Sequence, residues 1–187
     1  GEPDANGKYM IRGGDYSDGW CAESEVFRAS IEIESPYARS RVQTGDLVIT
    51  IVGAGVGNVA IVPKWLDGAN ITQTTARISV DTGKVTSSFA CRALEGIVGK
   101  RNLERYVYGS AQPRLNIEHV NSYVMPIPPR GEQDVIVEHL DRAMSDCDAM
   151  TREARQAIKL LQERRGALIS SAVTGKIDVR GLIKGEV

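Results

Sequence analysis

The sequence predicts an α+β protein in which a strand-rich mixed domain is followed by a long C-terminal coiled-coil helix. Three observations support this prediction. Before the proline cluster at residues 126–131, short runs of β-formers alternate with glycine, whereas helix formers and no proline follow it. Beyond the cluster, apolar residues also repeat with heptad spacing. We therefore place the domain boundary at the prolines, with residues 1–128 in the first domain and residues 129–187 in the second.

Four strands are predicted in the first domain. Residues 46–52 and 59–62 are rich in valine and isoleucine, and residues 53–58 between them contain three glycines, which indicates two strands joined by a tight turn. Residues 71–80 form a third candidate strand. Residues 123–127 are predicted to form a closing strand before the prolines.

Two short helices are predicted between these strands. Ser87 or Ser88 is a candidate N-cap for a helix that runs to Val98. A second short helix is predicted over residues 102–107. The first domain is therefore mixed, with strands dominating.

The long helix is predicted over residues 132–174. Along this segment, the spacing between successive apolar residues alternates between four and three positions, as in a heptad repeat. The predicted helix-pairing residues are Ile136, Leu140, Ala143, Cys147, Met150, Ala154, Ala157 and Leu161. Gly175 ends the helix, because glycine adopts the left-handed conformation found at helix C-termini. Such a helix is roughly 64 Å long, so it needs a partner helix. Arg164 on the same face argues against a simple continuous homodimeric zipper.

Composition excludes several classes of protein. The hydrophobic content of 42% is typical of a globular protein, no run of about 18 apolar residues occurs, and the first residues do not resemble a signal peptide. We therefore expect a cytoplasmic protein without a membrane partner. The three cysteines are widely spaced and contain no CxxC pair, so we expect reduced thiols and neither a metal site nor a disulfide framework.

The motifs predict no catalytic residue and no cofactor. The glycines at residues 53–58 do not form a dinucleotide fingerprint, because Asn58 stands where that motif needs glycine and a strand follows instead of a helix. A P-loop sequence is absent. His119 and His139 lie in different segments, and neither neighbourhood suggests a nucleophile.

Polar and basic residues of the first domain form a predicted DNA-binding site. The net charge is −1, yet residues 84–114 contain six basic and only two acidic side chains. Arginine can pair with guanine, glutamine and asparagine with adenine, and hydroxyls with phosphates. The predicted contacts are Lys100, Arg101, Arg105, Tyr108, Ser110, Gln112 and Arg114, with Asn70, Thr72 and Gln73 as further candidates. Core packing is the alternative role for Tyr106 and Tyr108.

The order of segments resembles the specificity subunit of type I restriction–modification enzymes along nearly the whole chain. The matching segments are IRGGD at residues 11–15, TGDLVI at 44–49, VAIVP at 59–63, YGSAQPRLN at 108–116, IPP at 127–129, EQ at 132–133, and LQERR to AVTGKI at 161–177. Each segment is modestly specific by itself. Their joint order, ending in a helix that this family uses as a spacer, is highly specific.

The resemblance implies a division of labour. A target-recognition domain reads one half of a split site in double-stranded DNA. The long helix pairs antiparallel with its counterpart, sets the spacing between half-sites and docks the methyltransferase subunits. Methylation and ATP-driven cleavage then belong to other subunits, the restriction subunit being an indirect partner.

The chain departs from the family in one respect. The usual subunit carries two recognition domains and two spacer helices, whereas this sequence contains one of each. We expect either a fragment or a natural half-subunit, and a half of this kind would be able to homodimerise through residues 136–161. The alternative hypothesis is a coiled-coil scaffold module without sequence-specific DNA binding.

Overall fold

The computed structural model describes residues 4, 6–109 and 111–177. The chain forms two compact units, which divide after Val137. Strands and short helices make up the first unit, whereas the second continues a long helix that begins at Arg130. The predicted α+β class with a long C-terminal helix is confirmed.

Three strands form an antiparallel sheet in the first unit. β3 (Leu47–Thr50) lies between β4 (Val59–Ile61) and β6 (Thr75–Ile78). Leu47 is paired with Ile61 in the β3–β4 register. The two strands predicted on either side of the glycine-rich turn are therefore confirmed.

A second sheet is built around β1 (Lys8–Ile11). This strand pairs antiparallel with β2 (Arg28–Ala29) and parallel with β5 (Asn70–Ile71). The parallel pair joins segments that lie about sixty positions apart in the sequence, as the partners Met10 and Asn70 show.

One strand was predicted over residues 71–80, but the structure contains two strands in this region, β5 and β6. The chain turns after β5, where the Thr75 amide donates to the Thr72 carbonyl at 3.0 Å. β5 then belongs to the second sheet and β6 to the first. The prediction failed because the apolar pattern does not reveal which sheet each half joins.

β3 separates two hydrophobic cores. Leu47 and Ile49 pack in the first core with Phe89, whereas Val48 packs in the second with Ile11. All three β3 side chains are fully buried. Successive side chains of a strand point to opposite faces, which explains why an uninterrupted apolar strand serves both cores. Each such burial contributes about 1.5–3 kcal/mol.

Two consecutive helices cover the first core. α2 spans Ser87–Glu95 and α3 spans Ile97–Glu104, with Gly96 extended between them. The predicted cap is wrong, because the Thr86 side chain accepts from the Phe89 amide whereas Ser87 donates to the Gly45 carbonyl. The predicted helix over residues 102–107 begins earlier and ends at Glu104. The remaining elements are α1 (Ile31–Glu34), α4 (Ile117–Asn121) and the 3₁₀ helices Glu23–Glu25, Ser35–Ser40 and Lys64–Leu66.

The closing strand predicted at residues 123–127 is absent from the described structure, where this segment has no strand pairing. Tyr123 and Met125 are partly buried against the first core. Proline at positions 126, 128 and 129 provides no backbone N–H, which opposes continuation of a ladder. Apolar packing therefore holds the segment without sheet hydrogen bonds.

The long helix α5 spans Arg130–Val173, close to its predicted bounds, and Gly175 follows with φ of 72°. Gln133 fixes its first turn in the first unit. The Gln133 Oε1 accepts from the Thr86 amide at 2.8 Å, and Nε2 donates to the carbonyls of Lys84 and Pro128, each at 2.8 Å. Ile136 and Val137 pack against the first core. The unit therefore ends after Val137, nine residues beyond the predicted boundary.

In the described part of the chain, no helix is both long and apolar enough to cross a membrane.

An ion pair between the buried Glu34 and the partly exposed Arg41 attaches α1 to the rest of the first unit. Glu34 is 1% exposed and receives two hydrogen bonds from Arg41, at 2.6 and 2.8 Å. Asn70 donates to Glu34 at 3.3 Å and to the Tyr37 carbonyl at 2.9 Å. The hydrogen bonds from Arg41 lower the pKa of Glu34 below its ordinary value.

Protonation of Glu34 should destabilise the first unit. Because its folded pKa lies below the ordinary value of 4.5, the carboxylate stabilises the fold above that pH and loses this contribution as pH falls through the folded pKa. We expect the free energy of unfolding to fall more steeply in acid for the wild type than for Glu34→Gln. The free energy of unfolding is measured at several acidic pH values by urea titrations that follow the fluorescence of Trp20 and Trp65. Glu32→Gln, an exposed change on the same helix, is the control, and equal slopes for wild type and Glu34→Gln would contradict the prediction.

Candidate nucleic-acid interface

A short hairpin presents three of the predicted contacts. Tyr108 and Arg114 exchange both backbone hydrogen bonds, at 3.0 and 2.8 Å. Gly109 has φ of 89°, and a Cβ there would lie 2.6 Å from the Gln112 carbonyl oxygen. Glycine is therefore required for this turn. Ser110, also a predicted contact, lies outside the described residues.

The hairpin is attached to the end of β3. Arg114 forms a second bridge with Val52, the Gly53 amide donates to the Pro113 carbonyl at 2.9 Å, and the Leu115 amide donates to the Ile51 carbonyl at 2.8 Å. Leu115 is buried in the first core. Backbone hydrogen bonds on both sides and one buried anchor therefore hold the Arg114 backbone in place.

The side chains of the hairpin point to solvent. Gln112 and Arg114 are exposed, and the Arg114 Nη2 donates to the Gln112 Oε1 at 3.1 Å. Tyr108 is 57% exposed, which argues against core packing. Tyr106 instead stacks on His119, with ring centroids 4.1 Å apart and an interplanar angle of 13°. Tyr106 is also 46% exposed, so it packs on this ring at the surface and not in the core.

The basic residues of α3 lie on its outer surface. Leu103 is buried in the first core, whereas Lys100 and Arg101 are exposed, as is Arg105 at the C-terminal end. Within the described residues, no carboxylate forms an ion pair with these three cations. The chain then passes directly from α3 into the hairpin. Free cations and the polar hairpin thus belong to one continuous segment.

Asn70 has a different role from the one predicted. It is fully buried and holds Glu34 and the Tyr37 carbonyl. A side chain without exposed surface cannot contact a ligand in this structure. We therefore remove Asn70 from the predicted contacts.

Thr72 and Gln73 line an open groove of about 600 Å³. Its other walls come from residues 12–17 and from residues 50–55. Val52 is also part of the lining, and it is the residue that bridges to Arg114. The groove and the hairpin therefore meet at the end of β3, which joins two sets of predicted contacts that are distant in the sequence.

Sequence reasoning missed the wall of the groove formed by Arg12 and the two glycines after it. The available signal was the matching segment at residues 11–15. Charge counting overlooked it because Arg12 is followed closely by Asp15, which accepts from the Arg12 side chain at 3.1 Å. A search for segments with an excess of basic residues does not find a site that contains only one cation beside exposed backbone.

These features define a strand-rich α+β domain that presents exposed polar loops and continues into a long helix. Residues 3–160 match the family model for the type I restriction modification DNA specificity domain. The chain belongs to this family, which confirms the predicted resemblance.

One curated relative and two solved structures are similar to this chain. The type I restriction enzyme EcoBI specificity subunit of Escherichia coli is 26% identical over 192 residues, covering 100% of this chain and 40% of that protein. The HsdS subunit of Thermoanaerobacter tengcongensis is 21% identical with a TM-score of 0.53, over 72% of this chain and 34% of that one.

A chain from a structure on complex assembly and conformational transition of the type I R-M system is 16% identical with a TM-score of 0.69. That similarity covers 91% of this chain and 39% of the solved one. At these identities both structures show a shared fold. The chain spans about 40% of the length of the curated relative that it matches.

Proposed function

We propose that this chain is a non-catalytic specificity subunit that reads one half of a bipartite site in double-stranded DNA. The observation that best supports this proposal is the hairpin at residues 108–114. It holds the exposed side chains of Arg114 and Gln112 on a backbone that is attached to the first core. Family membership supports this proposal. Methylation and cleavage are then carried out by other chains, in the cytoplasm, where DNA is present.

The hairpin has the side chains needed for direct base reading. Arg114 can donate in parallel to the O6 and N7 of guanine, and Gln112 can pair with the edge of adenine. The hydrogen bond between them limits the rotamers of both side chains before DNA binds. Gln73, exposed on the groove, is a third candidate for base contact, and Thr72 provides a hydroxyl beside it.

The cations of α3 suit phosphates better than bases. Lys100, Arg101 and Arg105 have long side chains without an ion-pair partner in the described part of the chain. Phosphate contacts require charge more than a rigid geometry, and they position a protein on the duplex. Because the net charge is only −1, these contacts act at short range rather than by long-range steering.

The second unit offers an apolar stripe to a partner helix. From Leu140 to Leu161, every predicted helix-pairing residue is exposed, with Met150 at 69% and Leu161 at 62%. Ile136 is instead partly buried against the first core. We propose that residues 140–161 pair with a second helix, either of another copy of this chain or of the second half of a longer subunit.

Two further apolar side chains of α5 are available for docking of methyltransferase subunits. Met144 and Ile158 lie two heptads apart, outside the helix-pairing stripe, and both are about half exposed. Exposed apolar side chains outside the pairing stripe allow a helix to contact a second partner. In this proposal one partner is the opposing spacer helix and the other is the methyltransferase, through which the restriction subunit is reached.

Removal of the α3 cations should flatten the salt dependence of DNA binding. The change is Arg101→Ala together with Arg105→Ala, tested on the full chain with a duplex of mixed sequence. Each lost phosphate contact lowers the slope of log K against log salt by about 0.9, so we expect a decrease of about two. Fluorescence anisotropy at several salt concentrations measures the slope.

The control for this experiment removes the same charge elsewhere. Arg152→Ala with Lys159→Ala affects two exposed cations of α5 outside the helix-pairing stripe. An equal change in slope for both double variants would assign the effect to net charge. A wild-type chain that binds no duplex would instead favour the scaffold alternative.

Arg114 should determine one position of the recognised site. Selection from a random duplex library should enrich a defined half-site with the wild type, and Arg114→Ala should cost about 1–3 kcal/mol and relax a single position. Arg114→Lys is the matched control, because it keeps the charge but loses the planar fork. We expect Arg114→Lys to retain the salt slope and lose the base preference. Equal relaxation at every position would show that Arg114 contacts only the backbone.

Two neighbouring leucines test the pairing of the helix. Leu161 lies on the helix-pairing stripe and Leu160 lies outside it, with exposures of 62% and 58%. If the chain homodimerises through this stripe, Leu161→Glu should increase the dissociation constant of the dimer by at least tenfold, since a carboxylate would be buried, whereas Leu160→Glu should have little effect. Sedimentation velocity over a range of concentrations measures this constant. A wild-type monomer at all concentrations would exclude the homodimer.

A further inference from the structure

The groove beside Gln73 has a chemistry that suits an anion. Its lining contains one charged side chain, Arg12, and no carboxylate. Of the other lining residues, four carry a hydroxyl, one carries an amide, three are glycines, and Val52 and Ala54 are apolar. A volume of about 600 Å³ is within the range of ligand-binding sites in proteins.

Three loops that line this groove contain backbone amides without an acceptor among the described residues. Several lining residues have amides without a hydrogen-bond acceptor among the residues that the structure describes, among them Gly13, Gly14, Ala54, Gly55, Gln73 and Thr74. Consecutive free N–H groups in turns form concave sites that bind anions. Backbone amides of this kind are regular donors to DNA phosphates.

Arg12 is held in a defined position at the edge of the groove. The buried Asp15 accepts from the Arg12 amide at 2.8 Å and from the Arg12 Nη2 at 3.1 Å. The Arg12 side chain is nevertheless 50% exposed. Asp15 therefore orients the guanidinium, while other N–H groups of Arg12 have no acceptor among the described residues.

The two glycines after Arg12 differ in the space beside them. A Cβ at Gly13 would lie 2.7 Å from the Thr50 Cγ2 and 2.8 Å from its Oγ1, so this wall packs directly on β3. A Cβ at Gly14 would meet nothing within 4 Å, and its φ is not in the left-handed region. Position 14 therefore accepts a side chain without strain.

We propose that this groove binds a phosphodiester group of the duplex backbone, with Arg12 and the loop amides as donors. The inference rests on the proposed function, since it concerns the same DNA. Val52 lines the groove and bridges to Arg114, so a phosphate in the groove sets the position of the hairpin relative to the bases. The groove supplies sequence-independent contact, and the hairpin supplies base reading.

A charge series at position 14 tests this proposal. Full-length Gly14→Glu, Gly14→Gln and Gly14→Lys are compared for binding to duplexes of different sequence. We expect Gly14→Glu to weaken binding to every duplex by about an order of magnitude at low salt and to lower the salt slope by about one. Gly14→Gln measures the effect of an uncharged side chain at this position, and both charged variants are compared with it. Gly14→Lys should bind every duplex more tightly with a steeper slope, which misfolding cannot produce.

The outcomes separate this inference from the proposed function. If the wild type binds no duplex, both fail. If it binds duplex but the three variants have equal affinity and slope, the groove proposal alone fails. It also fails if Gly14→Glu affects one target sequence only, because the groove would then read bases. As a last arm, NMR shifts of the Gly13 and Gly14 amides are followed with duplex and with inorganic phosphate, and a response to phosphate without one to duplex would overturn the proposal.

Discussion

Burial of β3 on both faces is the constraint on which the first unit depends. Leu47 and Ile49 face one core and Val48 faces the other, so neither core closes unless this strand lies between them. The chain stays in the first core just beyond the strand, where Ile51 is 8% exposed. The backbone that carries the hairpin and the groove is therefore positioned by apolar packing, which is dense and resists displacement.

The structure combines two kinds of polar contact that have different mechanical requirements. In the proposed function, base reading needs donors within a few tenths of an ångström of their target. The backbone bridges of Arg114 and its hydrogen bond to Gln112 support that role. Phosphate attraction decreases slowly with distance, so flexible lysine and arginine side chains on a helix surface are sufficient. The exposed cations of α3 and the restrained hairpin fit this division.

Local patterns predicted the elements that depend on neighbouring residues. The strands around the glycine-rich turn and the helix α5 were predicted correctly, because alternation, heptad spacing and proline distribution act over a few positions. The burial of Asn70 was not predicted, since its partner Glu34 lies 36 positions away. The split of residues 71–80 was missed for a similar reason, because β5 pairs with the distant β1. The proximity of the groove to the hairpin was also not predicted, because tertiary structure brings these distant segments of the sequence together.

In the proposed function, the shared position of groove and hairpin would link the affinity for DNA to the specificity for its sequence. A side chain that reads bases is useful only when the protein already holds the duplex in one register, which phosphate contacts provide. In this chain the two are connected through Val52, at the end of one buried strand, rather than through a flexible loop. Movement of a bound phosphate would therefore move Arg114 with it. A nearly neutral protein can gain specificity in this way, because a few well-placed donors replace a large basic surface.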